Sequence, residues 1–121
     1  MPKVVVNNTK GLFQKTGGGL SLFGGTQAIT AVADGANAPI AATTSFAIVS
    51  SDSNSKQVDL PAIAGVEVGH TILLASVGSA DVVVETPSSE TINGASNLTL
   101  GENVTALIVK ATATTWVAII S

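Results

Sequence analysis

The sequence predicts an all-β fold, a β-sandwich or jelly-roll-like domain of about eight to ten short strands behind an extended N-terminal arm. Three observations carry this expectation. Short β-branched or apolar runs recur with alternating polar neighbours, Gly, Asn, Ser and Pro punctuate them at regular intervals, and no segment sustains an apolar stripe at helical spacing. A chain of 121 residues fits one domain, able to bury about two thirds of its unfolded surface.

The elements follow in order. KVVV at residues 3–6 is a β-branched run, and QAITAV (27–32) and SFAIVS (45–50) are the next candidates, the latter reading apolar at Phe46 and Ile48. The alanine-rich stretch 28–42 is the best helix candidate, but Asp34-Gly35 and Asn37-Ala38-Pro39 interrupt it, so it reads as strand, loop and strand. KQVDLPAI places Val58 and Leu60 on one face before Pro61 ends the strand. HTILLAS and DVVVET, either side of the turn VGSA, read as a hairpin. ETINGASNLTL alternates around Ile92, turns at Asn93-Gly94, which tolerates the positive φ of a tight turn, and resumes with Leu98 and Leu100. VTALIVKA and TWVAII close the chain as two strands joined by TAT. Leu60, Ile72, Val84, Ile92, Leu100, Ile108, Trp116 and Ile119 are the candidates for the core or for an interface between copies. Aliphatic inner faces with Thr, Ser and Ala outside suit a sandwich packed beside copies of itself.

Composition narrows the function classes. Charged residues are 11% of the chain against an average of about 25%, so much of the surface is expected to face other protein. The net charge of −3 hides an asymmetry: residues 1–25 carry Lys3, Lys10 and Lys15 and no acid, whereas residues 26–121 hold all eight acids against two lysines. The organisation is a flexible, glycine-rich basic arm (1–25) on an acidic all-β body (26–121). With no arginine and only dispersed lysines, nucleic acid is not an expected partner. No apolar run reaches the roughly 18 residues of a membrane span, and residues 3–8 lack the apolar core of an export signal, so neither a membrane nor export is expected. Without cysteine, disulfides and thiolate metal sites are out of reach.

From residue 43 to 121 a series of motifs keeps a consistent order: Val58, Leu60 and Pro61; Gly69 and Ile72; Val82 and Val84; Thr91-Ile92-Asn93-Gly94; Leu98 and Leu100; Val104, Leu107 and Val109; and Trp116 with Ile119. This series resembles a β-domain of tailed-bacteriophage virion proteins, found in tail-fibre, head-fibre and capsid-decoration chains. It departs in the last hairpin, where TAT stands in place of the usual glycine. The resemblance implies a homotrimer.

No catalytic constellation assembles from these residues. His70 is the single histidine, without convergent partners, and reads as structural. Asp34-Gly35-Ala36-Asn37 lacks the alternating ligands of a calcium loop and reads as a turn. Asp81, Glu85 and Glu90 read as solvated rim charge near hairpin ends, and three Phe with one Trp are too few for a sugar-lined glycosidase cleft. In KTGGG the lysine precedes the glycines, the reverse of a phosphate-binding loop. Trp116 reads as a core or trimer-axis residue. No enzyme activity and no cofactor is expected.

The expectation is therefore a structural virion protein: a trimeric capsid decoration (cement) protein on the outer surface of the phage head, made in the host cytoplasm, its partners being itself and the major capsid protein. A length of 121 residues suits this role or a short head fibre better than a long fibre subunit. The docking candidates lie in the arm, with Leu12, Phe13, Leu20, Leu22 and Phe23 as apolar anchors and Lys3, Lys10 and Lys15 facing acidic surface. The alternative is a receptor- or glycan-binding adhesion module acting through loops 33–40 or 87–96.

Overall fold

The computed structural model describes the backbone of residues 4–7 and 11–14 and the whole of residues 25–121. β1 (Val4–Asn7) and β2 (Gly11–Gln14) pair antiparallel as a two-stranded sheet of their own, with Asn7 opposite Gly11. The sequence reading places a strand over residues 3–6 but none over its partner, whose glycine and polar ends dilute the β-branched signal.

The body is a β-sandwich of nine strands in two sheets, and its described residues contain no α-helix. Its strands are β3 (Gly25–Thr30), β4 (Thr44–Ser50), β5 (Lys56–Asp59), β6 (Thr71–Ser76), β7 (Val82–Glu85), β8 (Thr91–Ile92), β9 (Asn97–Leu100), β10 (Thr105–Lys110) and β11 (Thr115–Ile120). One sheet has the order β3-β4-β6-β10-β11-β8 and the other β5-β7-β9. From β4 to β10 every successive strand lies in the opposite sheet. That alternation puts next-but-one strands in the same sheet, where β4 pairs parallel with β6 and β5 parallel with β7. The crossover a parallel pair requires is thus a strand of the facing sheet rather than a helix.

The expected β6–β7 hairpin is corrected by this topology. Val77 N donates to Val49 O at 2.9 Å and Ser79 N to Ser51 O at 3.0 Å, which carries the chain along the end of β4. It then crosses to the other sheet, where β7 pairs with β5 and β9. The Asn93-Gly94 turn forms as expected: φ is 51° at Asn93 and 84° at Gly94, the two left-handed residues of a type I′ turn, and Ile92 and Ala95 exchange hydrogen bonds across it. Its flanking strands nevertheless part. β8 pairs parallel with β11, and the Asn93 side chain prolongs that pairing by donating to Ala118 O at 3.0 Å and accepting from Ala118 N at 2.9 Å. β9 joins β7 instead.

β10 and β11 do form the expected hairpin, with Lys110 opposite Trp116. Its loop needs no glycine, because none of its residues has positive φ; Thr112 Oγ1 meets Thr115 Oγ1 at 2.6 Å and accepts from Thr114 N at 3.3 Å. Threonine hydroxyls do locally what the missing glycine does conformationally.

Between the sheets lie Ala47, Val49, Val58, Leu60, Ile72, Leu74, Val82, Val84, Ile92, Leu100, Ala106, Ile108 and Trp116. Leu60, Ile72, Val84, Ile92, Leu100, Ile108 and Trp116, read from the sequence as core or interface, are all core. Trp116 is 1% exposed, so it faces the other sheet of its own chain. Ile119 is instead 67% exposed on the outer face. In β4 the expected phase is inverted: Ala47 and Val49 face inward, while Phe46 and Ile48 face out. Both faces of this strand are apolar, so alternation alone does not choose between them. Pairing with β6 does, since Phe46 sits opposite Leu73 while Ile72 and Leu74 fill the core.

Candidate interaction surface

The outer face of the six-stranded sheet is built by strand alternation. Inward Ile72 and Leu74 put Leu73 outside, inward Ala106 and Ile108 put Leu107 and Val109 outside, and inward Trp116 puts Val117 and Ile119 outside. Register then aligns them. Thr26, Phe46, Leu73, Leu107 and Ile119 stand opposite one another across five strands, forming one continuous row. Ile48 and Ala75 flank it on one side, and Val109 and Val117 on the other. Val117 is 46% and Ile119 67% exposed, and Phe46, Ile48, Leu73, Leu107 and Val109 are partly exposed. The expectation of Thr, Ser and Ala outer faces is thus corrected for this sheet: Thr26 at the end of the row and Thr30, Ser50, Thr71 and Thr105 beside it frame a large apolar surface.

Charge is segregated from this face. None of the eight acids lies on β3, β4, β6, β8, β10 or β11; all sit on the three-stranded sheet or in loops. On the outer side of the three-stranded sheet, Gln57, Val83 and Thr99 form one row and Asp59, Glu85 and Asn97 the next. The domain therefore has an uncharged apolar face and an acidic polar one.

Two charged side chains are turned to structural use. Lys110, 7% exposed, donates from Nζ to Ile63 O at 2.8 Å and Val66 O at 2.6 Å. Glu90 Oε1 accepts from Ile63 N at 2.9 Å, and its Oε2 lies 3.5 Å from Trp116 Nε1. Glu90 is thus not the solvated rim charge expected from the sequence: it holds the Ile63 N–H while Lys110 holds the Ile63 carbonyl, and together they pin the 3-10 turn Ile63–Gly65 onto the sandwich. Nothing in the sequence flags either contact, because the partners are 27 and 47 residues away. His70 leads into β6, with its Nε2 enclosed and without a hydrogen-bond partner.

The 33–40 loop is a turn tied to the body. Asp34 accepts from Ala36 N at 3.0 Å and caps the 3-10 turn Gly35–Asn37. Gln27 donates to Pro39 O at 3.0 Å and accepts from Ala41 N at 2.9 Å and Thr44 Oγ1 at 2.7 Å. The turn covers Asp59, whose Oδ1 is buried without a partner. Burial, and secondly the charge of Asp34, push the Asp59 carboxyl above its usual value of 3.8. Ionisation of Asp59 therefore disfavours the fold. Its stability contribution is full below the unfolded pKa and is lost as pH rises through the higher folded value. Asp59→Asn should accordingly be more stable than wild type at neutral pH, with the difference closing as pH falls below 4. Urea unfolding of both proteins across pH checks this; a gap independent of pH would assign the effect to packing.

Of the arm candidates, Lys3, Lys10, Lys15, Leu20, Leu22 and Phe23 lie outside the described residues, and Leu12 and Phe13 are described only as backbone positions of β2, opposite Val6 and Val5. Among the described residues no three of His, Cys, Asp and Glu gather as a metal-binding group, and no helix is long and apolar enough to cross a membrane. No protein-family model matches this chain, and no curated protein matches it either.

Proposed function

We propose that this chain is a non-enzymatic structural virion protein, a trimeric capsid decoration (cement) protein that docks on the phage major capsid protein lattice from outside and stabilises the head. The observation that supports it most is the segregation of charge: a small domain with an apolar row across one sheet, and every acid either in a loop or on the other sheet, suits life inside an assembly. The basic residues 1–25 add a complement to acidic protein surface, and the motif series from Val58 to Ile119 adds the resemblance to virion β-domains. In this reading the body forms the knob and the arm makes the capsid contact.

The deciding experiment is cryo-electron microscopy of particles with and without the protein, with trimeric density expected at local three-fold or quasi-three-fold positions of the capsid. Density on the tail alone would overturn the cement reading in favour of adhesion. Phe13→Ala combined with Phe23→Ala should leave the body folded and cut capsid occupancy by more than about tenfold, as loss of two aromatic anchors does. Unchanged occupancy in a capsid co-sedimentation assay would remove the arm from the contact.

A further inference from the structure

We infer that the outer face of the six-stranded sheet is the self-association surface, covered in the working protein by other copies of this chain. The inference rests on the multi-copy part of the reading above and names the surface that serves it.

The geometry carries the first step. Five strands spaced about 4.8 Å apart, each about six residues of about 3.3 Å, make a face of about 480 Å². Two such faces bury about 960 Å² together, at the lower edge of what a specific contact between chains needs. The row Phe46, Leu73, Leu107 and Ile119 runs through its middle, and threonines frame it. That is an apolar centre with a polar, uncharged rim.

Charge selects the occupant. The body carries eight acids against two lysines, so copies repel one another wherever acids oppose acids. Contact through the three-stranded sheet would set Glu85 of one copy towards that of the next, with the turn that carries Asp34 standing over Asp59 between them. The six-stranded face holds no charge, because its single lysine, Lys110, points inward to Ile63 and Val66. Copies therefore meet there without penalty. A charged foreign partner finds no group on this face to pair with, whereas a second uncharged, twisted sheet matches it in shape and chemistry.

The test uses the full chain. Sedimentation and mass photometry across a wide concentration range should show an oligomer for wild type. Leu107→Glu should weaken association by at least about tenfold, the effect of burying an unpaired charge. Ile119→Lys should do the same, and at 67% exposure it leaves the core untouched, so retained circular dichroism separates dissociation from misfolding. The absence of cysteine allows a second readout. A thiol introduced by Val117→Cys should react slowly with maleimide in the oligomer and quickly when Ile119→Lys is added, whereas one introduced by Thr99→Cys on the opposite sheet should react quickly throughout. An oligomer indifferent to both charge substitutions, with a freely reactive thiol at 117, overturns this surface and leaves the multi-copy reading standing. A monomeric wild type overturns both, including a monomer in which residues 1–24 of the same chain protect the thiol.

Discussion

Gly78→Ala should destabilise the protein by about 3 kcal/mol or more, as a residue that forces backbone apart does. A Cβ at this position would lie 2.2 Å from Ser51 O and 2.3 Å from Ser51 N. Neither atom is able to swing aside. Ser51 is buried, accepts from Ser79 N, and holds its own loop through a 2.7 Å bond from Oγ to Ser53 O. Easing the clash means separating the chain after β6 from the end of β4, which breaks the Val77–Val49 and Ser79–Ser51 bonds that start the crossing between sheets. Gly78 does not have positive φ, so alanine is acceptable there conformationally and the loss comes from space alone. Chemical unfolding monitored by circular dichroism measures it. No loss, or a gain of up to about 1 kcal/mol as for a glycine-to-alanine change that the backbone accepts and that meets no obstacle, would show that the two segments are not in contact.

Trp116→Ala should remove about 3–5 kcal/mol, the range for emptying a fully buried aromatic site. The ring is 1% exposed, between Ile92 on the paired strand and the inner residues of the facing sheet. Its Nε1 is also 3.5 Å from Glu90 Oε2, a long contact that adds little beside the volume lost. Trp116→Phe should therefore recover most of the loss. The same experiment distinguishes a core role from one at an axis between copies: the loss should be the same at every protein concentration, whereas a concentration-dependent loss would place the ring in a contact between chains.

The strands were legible wherever one face is apolar and the other polar. Val58, Leu60, Ile92 and Leu100 alternate with polar neighbours, and all are buried. Phase failed in β4, where Phe46 and Ile48 are larger than the inward Ala47 and Val49, because the six-stranded sheet is apolar on both sides. Pairing failed for a related reason. Turn chemistry at VGSA and at Asn93-Gly94 reverses the chain, but alternation does not say whether the next strand lies beside the last or across the core from it. Gly78 illustrates the limit: it reads as a turn glycine, and only the approach of Ser51, 27 positions earlier, explains it. The apolar outer row was equally hidden. Leu73, Leu107 and Ile119 look unremarkable in separate strands and become a surface only once register sets them side by side.

The shuttling of consecutive strands between layers bears on how the domain is assembled and how it comes apart. Each pairing from β4 to β9 joins distant segments, Phe46 with Leu73, Lys56 with Val82 and Val82 with Leu100, so several long loops close before any layer is complete. In the sandwich, only two pairings join consecutive strands, the β10–β11 hairpin and the parallel pair β3–β4, and only the first closes through a short loop. Folding should accordingly be slow for the chain's size, which stopped-flow refolding would measure. The same stitching should resist unravelling, because peeling any inner strand from one layer pulls on its neighbours in the other, so a protease is expected to cut the inner strands only when the sandwich opens.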